Sequence, residues 1–367
     1  MPALPIRRRW LLTAGLSACI SNAYALPPRA LSFPRDHGSH PLLRTEWWYI
    51  TGQLRAAGTL WGFQITFFRS RVDVAQSLHS AFAAKQLLFA HAALTDVAGK
   101  RLRHDQRIAR AGFGIAQASE TDTDIRLADW LLQRQPIAAP GESRYTVRAQ
   151  AQDFALALTA TSTQPILLQG DHGLSRKGPL PENTSYYVSQ PQLALSGHIQ
   201  VNGQQLPVQA GAAQDNRAWM DHEWSEALMH PDAVGWDWIG INLTDGGALT
   251  AFILRRVDGS PLWAGGSLRT SANAPVQVFD HNAVRFTPLR QWTSPATGTR
   301  YPVQQHIDCP AGRFTITAIL DDQELDSRAS TGAIYWEGLS TLTDAQGREV
   351  GRGYMELTGY AQRLRLG

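Results

Sequence analysis

The sequence predicts a mainly β protein made of two antiparallel, barrel-like domains. Short stretches of alternating, β-branched and aromatic residues are separated by Gly, Pro, Asn and Asp, which is the pattern of strands joined by turns. Turn dipeptides such as Asn202-Gly203 and Asp258-Gly259 stand between apolar runs, as they do in β-hairpins. Sheets built from hairpins have exposed edges, and closure into a barrel removes those edges.

Strands account for nearly all of the predicted elements, and helices are expected to be rare. The best helix candidate is 74–88, as an insertion between two strands. The clearest predicted strands are 47–54, 60–69, 89–96, 145–150, 154–160, 192–201, 234–243, 248–256, 313–320, 332–342 and 353–360.

A rough similarity in strand pattern between the two halves of the chain predicts two related domains. Each half has an early aromatic strand, Trp47-Trp48-Tyr49 in one and Trp236-Asp237-Trp238 in the other, followed closely by an apolar strand. The length of about 340 residues that follows the N-terminal segment is enough for two domains. We place the first domain at 26–226 and the second at 227–367.

The N-terminus has the layout of an export signal. Three arginines at 7–9 precede a short apolar run and then small residues, so we assign 1–25 to the signal. The apolar run is only about half of the roughly 20 residues that span a bilayer. Ala23-Tyr24-Ala25 suits ordinary signal peptidase, whereas Leu16-Ser17-Ala18-Cys19 has the form of a bacterial lipobox, in which Cys19 would carry a lipid. We therefore expect a periplasmic or secreted protein, attached to a membrane only if Cys19 is lipidated.

The charge balance argues against a nucleic-acid partner. The chain has 34 Lys and Arg against 31 Asp and Glu. Three of the arginines lie in the N-terminal segment, which has no acid, so 34 − 3 = 31 bases balance 31 acids in the rest. A neutral chain without a basic run lacks the electrostatic footprint of a nucleic-acid-binding protein.

Several classes of site lack their motifs. The two cysteines are Cys19 and Cys309, so no intramolecular disulfide remains once Cys19 is removed or lipidated. There is no HExxH motif and no cysteine pair, so no metal site is predicted. GxGxxG, the P-loop and GxSxG are also missing, which disfavours a nucleotide cofactor and a serine nucleophile. No cofactor is expected.

The segment WMDHEWSE at 219–226 concentrates aromatic, carboxylate and histidine side chains. Side chains alternate between the faces of a strand, so Asp221 and Glu223 share one face while His222 and Trp224 share the other. His222 is a candidate base or water-positioning residue, or else a packed core histidine. Zinc ligation is disfavoured because neighbouring ligands point to opposite sides of the strand.

Asp237 is the candidate acid. It shares a face with Ile239 and Ile241, so in a barrel interior its carboxyl would lie among apolar side chains. Desolvation would raise its pKa above the ordinary value of about 3.9, leaving a protonated acid near neutral pH. The alternative is a structural carboxylate bonded to the backbone or to an arginine such as Arg69. Glu46 and Tyr187, each beside aromatic residues, are candidates for lining a cavity or for packing in the core.

Taken together, these segments resemble the carotenoid 1,2-hydratase (hydroxyneurosporene synthase)/AttH family from about residue 40 onwards. The segments that carry the resemblance are Glu46-Trp47-Trp48-Tyr49, Gly62-Phe63-Gln64, Ala90-His91-Ala92, Tyr186-Tyr187, Trp219-Met220-Asp221-His222-Glu223-Trp224 and Gly235-Trp236-Asp237-Trp238.

The resemblance implies a pair of lipocalin-like β-barrel domains. It also implies addition of water to an isolated carbon–carbon double bond without a cofactor, in which an aspartate protonates the alkene and water captures the carbocation. By motif, Asp237 would be the acid, and His222 and Trp224 would belong to the site. The residues expected to line or support the ligand site are Trp224, Trp236, Glu46, Trp48 and Tyr187.

Two functions remain open from the sequence. The first is an exported hydratase or hydrolase that acts on an apolar small molecule. The second is a periplasmic carrier of a lipid or another hydrophobic ligand, associated with an ABC-type transport system as the AttH branch implies. A scaffold whose aromatic residues serve only for packing is a third, weaker interpretation.

Overall fold

The computed structural model describes residues 25–137, 142–227 and 229–364. The fold class predicted from the sequence is confirmed: the chain is nearly all β and forms two curled, nearly closed antiparallel sheets of lipocalin-like type. The predicted export signal, apart from Ala25, and Cys19 lie outside the described residues.

The first sheet contains fourteen strands. They are β1 (Thr45–Ala56), β2 (Thr59–Arg71), β3 (Gln86–Asp96), β4 (Arg101–Arg110), β5 (Ala116–Ala118), β6 (Asp124–Leu127), β7 (Trp130–Pro136), β8 (Ser143–Gln150), β9 (Phe154–Thr161), β10 (Leu167–Leu168), β11 (Leu174–Arg176), β12 (Thr184–Val201), β13 (Gln204–Pro207) and β14 (Arg217–Ser225). The long path through the sheet runs β4-β3-β2-β1-β14-β12-β9-β8-β7-β6-β5. The first and last strands of this sheet in the sequence, β1 and β14, therefore pair with each other.

The second sheet contains ten strands. They are β15 (Gly235–Leu243), β16 (Ala248–Arg255), β17 (Pro261–Arg269), β18 (Gln277–Phe279), β19 (Arg285–Thr293), β20 (Arg300–Cys309), β21 (Gly312–Ala318), β22 (Glu324–Ser327), β23 (Ala333–Asp344) and β24 (Glu349–Leu357). Its main path is β18-β17-β16-β15-β24-β23-β21-β20-β19. The predicted domain boundary at 226/227 lies in the segment between β14 and β15, and it remains a prediction.

Each predicted strand overlaps an observed strand, but the predicted helix at 74–88 is wrong. That segment has a single 3-10 turn, Asp73–Ala75, then irregular backbone until β3 begins at Gln86. Further short 3-10 turns are Arg35–His37 and Ala213–Asp215. A short helix needs a surface to pack on, and the large apolar side chains Val74, Leu78 and Phe82 of this segment are exposed. None of the described helices is long and apolar enough to cross a membrane.

Three apolar clusters account for most of the burial. One fills the interior of the first sheet, around Ile50 and Phe63, and another fills the second, around Ile239 and Ile316. The third joins side chains of both sheets, including Tyr49 and Trp238. The two domains thus share an aromatic interface outside their own cores.

Candidate functional site

A pocket lies between the two sheets, on the faces opposite to the two domain cores. It has about 820 Å³ of empty space, part of which is open to solvent. The lining side chains are Trp47, Tyr49, Thr66, Phe68, Lys177, Tyr187, Asp221 and Glu223 before the domain connection, Met229 within it, and Trp236, Trp238, Phe252, Leu254, Tyr335, Glu337 and Glu356 after it. The pocket is therefore aromatic with four carboxyl groups and one lysine.

Alternation along the strands allows one segment to serve both pocket and core. On β14, Asp221 and Glu223 lie on the opposite face from His222 and Trp224, as alternation predicts. The pair expected at the site, His222 and Trp224, faces away from the pocket, and Asp221 and Glu223 border it instead. On β15, Trp236 and Trp238 border the pocket and Asp237 faces the second domain core. The pocket wall is thus built from alternate residues of strands whose other residues form the cores.

Asp221 is buried and accepts three hydrogen bonds. Tyr187 Oη donates to its Oδ2 over 2.7 Å, and Ser189 Oγ and Trp219 Nε1 donate to Oδ1 over 2.5 and 2.7 Å. These donors favour the carboxylate, but burial outweighs them and, with the charge of Glu223, raises the pKa of Asp221 to about 7. Its role is to fix Tyr187 and to add an acid with a pKa near neutrality.

Glu223 is held by a lysine. Lys177 Nζ lies 3.1 Å from Glu223 Oε1, and Ser185 Oγ donates to the same oxygen over 2.5 Å. The ammonium also lies 4.5 Å from the ring centroid of Tyr187 and 4.4 Å from that of Phe252. Glu223 and Lys177 thus form an ion pair in the pocket wall, reinforced by the Ser185 hydrogen bond.

Glu337 and Glu356 form a pair of neighbouring carboxyl groups on the second sheet. They are cross-strand partners on β23 and β24, a relation that places side chains about 5 Å apart at Cβ. Glu337 is buried and its Oε1 has no hydrogen-bond partner among the described residues, while Glu356 borders the pocket and accepts a 2.8 Å bond from Trp236 Nε1. Burial raises the pKa of Glu356 to about 7, and burial with the nearby Glu356 charge raises the pKa of Glu337 well above its ordinary value. The pair therefore retains a proton at neutral pH.

The hydroxyl group of Tyr335 forms a hydrogen bond with a histidine of the other domain. Its oxygen lies 2.8 Å from His91 Nδ1, and His91 Nε2 lies 2.8 Å from Ser330 Oγ. Ser330 donates to Gln106 Oε1, so its oxygen accepts from His91 Nε2–H. His91 Nδ1 is then an acceptor, because burial lowers the pKa of His91 to about 3 and keeps the ring neutral. Tyr335 therefore donates a hydrogen bond to His91, and the lone pairs of its oxygen remain available as acceptors.

The aromatic wall is set by close packing of backbone and rings. Trp238 meets Tyr49 edge to face at 5.5 Å, and its Nε1 donates to Tyr187 Oη over 3.2 Å. The indole lies over Gly240, where a Cβ would stand 2.3 Å from Trp238 Cη2. A side chain at Gly240 would push this ring into the pocket, so glycine there fixes the shape of the wall.

The seven residues predicted from the sequence as catalytic or ligand-binding are found in three places. Tyr187 and Trp236 line the pocket. Glu46, Trp48, His222 and Trp224 meet on the other face of the first sheet. Asp237 stands alone among the seven, inside the second domain.

The cluster around Glu46 is a buried hydrogen-bond network. Glu46 Oε1 accepts from His40 Nδ1 over 2.7 Å and from His222 Nε2 over 2.9 Å, and Oε2 accepts from Arg69 Nε over 2.8 Å. Burial opposes ionisation of Glu46, but these donors outweigh it and hold its pKa well below the ordinary value. Trp224 stacks on His40 at 4.1 Å. The network fastens the segment before β1 to the barrel.

His40, Glu46 and His222 also have the composition of a metal site, with ligand atoms within 4.8 Å of one another. The Nδ1 and Nε2 atoms of His40 both lie against carboxylates, of Glu46 and Asp36, so both carry protons. Burial lowers the pKa of His40, but these two carboxylates outweigh it and raise the pKa. With Arg69 bonded to Glu46 as well, the donor set already carries positive charge. A hydrogen-bonded ion network fits these atoms better than a metal ion does.

Asp237 has polar partners rather than the apolar surroundings that the sequence predicts. Arg255 Nε donates to Oδ1 over 2.7 Å, Gln305 Nε2 to Oδ2 over 3.2 Å and Tyr360 Oη to Oδ2 over 3.0 Å. Arg255 reaches it because both residues point inward from the paired strands β15 and β16. Asp237 is therefore part of a structural ion pair with Arg255, whereas the sequence suggested Arg69 as its partner.

Five residues in or next to the pocket were not assigned to the site from the sequence: Glu337, Glu356, Tyr335, Lys177 and His91. Two patterns pointed to some of them: Tyr335 and Glu337 share a face by alternation, and His91 stands within a segment that carries the family resemblance. The pairing of Glu337 with Glu356, and of His91 with a residue of the other domain, depends on sheet register and domain packing. Local sequence contains neither.

The fold and the pocket define a two-domain, lipocalin-like β-barrel protein whose candidate site lies between the domains. The AttH-like family model matches residues 24–360, and the chain belongs to this family. A search of curated protein sequences found no match.

Three solved structures share the architecture. A crystal structure of a candidate AttH from Nitrosomonas europaea is 46% identical, with a TM-score of 0.82, over 92% of this chain and 99% of that one. Kievitone hydratase from Nectria haematococca is 14% identical, with a TM-score of 0.67, over 91% and 94% of the two chains. CghA, crystallised with Sch210972, is 10% identical, with a TM-score of 0.50, over 86% and 89%. The last two share the fold.

Proposed function

We propose that the protein is a hydro-lyase that adds water to, or removes it from, a carbon–carbon double bond of an apolar small molecule in the interdomain pocket. The observation that carries the proposal is the cross-strand pair Glu337 and Glu356, which retains a proton at neutral pH inside an aromatic pocket. Protonation of an unactivated alkene needs such an acid. Kievitone hydratase, named for a hydration, shares the fold.

The pair supplies both proton transfers. Glu337 gives its proton to one alkene carbon, forming a C–H bond and leaving a carbocation on the other carbon. The oxygen of a water molecule attacks the cationic carbon, and the water gives a proton to the ionised Glu356. The proton then passes between the two carboxyl groups, so that the pair is restored and alkene plus water has become alcohol.

The aromatic wall and Tyr335 complete the site. The aromatic rings of Trp47, Trp238 and Phe68 line the pocket. A ring face suits a cation without hydrogen-bonding groups, at about 2 kcal/mol or more for each desolvated ring. Tyr335 and Glu337 are two residues apart on β23, which sets their Cα atoms about 7 Å apart on one face. The Tyr335 oxygen positions water beside the carbon that receives it.

Isotope incorporation tests the proposal. Wild-type protein is incubated in heavy water, and separately in heavy-oxygen water, with a panel of prenyl alkenes and tertiary prenyl alcohols, and the products are weighed by mass spectrometry. The expected result is deuterium at carbon and heavy oxygen at the hydroxyl group, lost in Glu337→Gln. Glu120→Gln is the matched control, since Glu120 lies exposed 3.9 Å from Arg35. Retention of co-purified hydrophobic ligand without any label would instead support the carrier function.

A further inference from the structure

Exposed apolar side chains are concentrated in three loop segments. Among the described residues eleven large hydrophobic side chains are exposed, and six of them lie in the segments 42–44, 71–85 and 110–115. The six are Leu42, Val74, Leu78, Phe82, Phe113 and Ile115. A soluble surface rarely gathers such residues without a partner.

The three segments leave the first sheet at the same end. Thr45 pairs with Ser70, Arg71 with Gln86, and Leu87 with Arg110, so the start of β1, the end of β2, the start of β3 and the end of β4 are adjacent. The segments also touch, because Phe82 stacks on Phe113 at 5.5 Å. They form one continuous surface, which we call the rim.

The rim lies next to pocket-lining strand residues of the first sheet. Trp47 on β1 and Phe68 on β2 line the pocket and are each three residues from the nearest rim segment, 44 and 71 respectively. Two further exposed side chains, Leu180 and Val257, follow the pocket residues Lys177 and Leu254 by three positions. Exposed apolar side chains therefore lie within a few residues of side chains that line the pocket, on both sheets.

Basic side chains accompany the apolar ones. The three rim segments contain Arg44, Arg71, Lys85 and Arg110 against one acid, Asp73, and Glu226 lies 2.8 Å from Arg71, so this surface carries 4 − 2 = 2 net positive charges. The Arg110 guanidinium lies over Phe113 at 4.1 Å and over Phe82 at 5.4 Å. Aromatic rings at the acyl boundary with cations at the phosphate level are how a surface binds an anionic bilayer.

We propose that the rim docks the protein on an anionic lipid bilayer and places the pocket mouth against the membrane surface. An apolar ligand then moves between bilayer and pocket without crossing water. The rim would bind lipid whether the protein transforms its ligand or only carries it. A binding test of the rim is therefore independent of catalytic turnover.

Vesicle co-sedimentation tests the rim. The full chain with Cys19→Ser, which removes the lipidation site, is mixed with vesicles of phosphatidylcholine alone or with phosphatidylglycerol. Binding is expected to require phosphatidylglycerol and to weaken with salt. Phe82→Ser with Phe113→Ser is expected to reduce affinity by about tenfold or more. The matched control is Val278→Ser with Leu289→Ser, two exposed apolar side chains away from the rim that should leave binding unchanged.

Fluorescence quenching by lipids with brominated acyl chains provides a direct readout of insertion. Phe82→Trp should add fluorescence that these lipids quench, and Leu289→Trp should not. Equal vesicle binding by the rim and control variants, together with no added quenching at Phe82→Trp, would overturn the proposal. So would a dimer in solution that dissociates on rim substitution, because the rim would then be covered by a second copy of the chain.

Discussion

Glu337 and Glu356 face each other across β23 and β24, and within the described chain neither is paired with a positive side chain. Each raises the cost of ionising the other, and the enclosing aromatic rings remove the water that would offset that cost. The same relationship that makes the pair an acid near neutral pH also makes it a source of instability at higher pH.

Replacing Glu356 by Gln should stabilise the protein selectively at alkaline pH. Burial raises the pKa of Glu356 to about 7, so the folded chain binds this proton more tightly than the unfolded chain. Its contribution to stability is full below the ordinary pKa of about 4.3 and is lost as pH rises through the folded value. We expect Glu356→Gln to raise Tm at about pH 8 and to give no gain at about pH 4, measured by calorimetry. A gain of equal size at both values would contradict the raised pKa.

Replacing Glu46 by Gln should destabilise the first domain strongly. The substitution leaves Arg69 and His40 buried without their shared carboxylate, which costs about 3–5 kcal/mol. The lowered pKa of Glu46 means that its stabilisation is present above its ordinary pKa and is lost as the medium becomes acidic. Urea unfolding at neutral pH and in acid measures both effects. Glu120→Gln, in a loose exposed ion pair, should change stability by less than about 1 kcal/mol; a similar small change for Glu46→Gln would refute the network.

Replacing Asp237 by Asn tests the acid assigned by family resemblance. Because Asp237 pairs with Arg255 outside the pocket, we expect a loss of about 3–5 kcal/mol in unfolding free energy. Label incorporation should fall only in proportion to the folded fraction, measured by circular dichroism at the assay temperature. Loss of all incorporation in fully folded Asp237→Asn would return the acid role to this residue.

Replacing Tyr335 by Phe should separate the two chemical steps. The phenyl ring keeps the wall intact but removes the oxygen that positions water, while Glu337 still protonates the alkene. We expect heavy-oxygen incorporation to fall by about tenfold to a hundredfold, with deuterium exchange into recovered alkene retained. His91→Gln should show a smaller change in the same direction, because it alters the direction of the Tyr335 hydroxyl. A purely structural role of Tyr335 would lower both labels equally.

Fold class and strand positions could be predicted because they depend on local alternation and turns. Alternation correctly divided β14 and β15 into two faces, but it did not show which face of β14 borders the pocket: His222 was expected there, and Asp221 occupies that side instead. The helix at 74–88 failed because its apolar residues belong to the exposed rim, and local pattern does not reveal which partner an apolar face has.

The composition of the site could be predicted only in part. The sequence shows that Asp237 lies among apolar neighbours, but not that Arg255 reaches it from the adjacent strand. Likewise, Glu337 and Glu356 become a pair through strand register, and the pocket exists because the outer faces of two sheets meet. Export, lipidation at Cys19 and association with a transporter remain predictions.

The infrared spectrum of the carboxyl groups tests the central claim most directly. A protonated carboxyl has a carbonyl stretching band distinct from that of a carboxylate, and the difference between wild type and Glu337→Gln isolates the pair from Asp221. Because the pair retains a proton, we expect the carbonyl band of a protonated carboxyl at neutral pH in wild type and in Glu120→Gln. This band should disappear in Glu337→Gln. A wild-type spectrum at neutral pH without any band from this pair would contradict the claim.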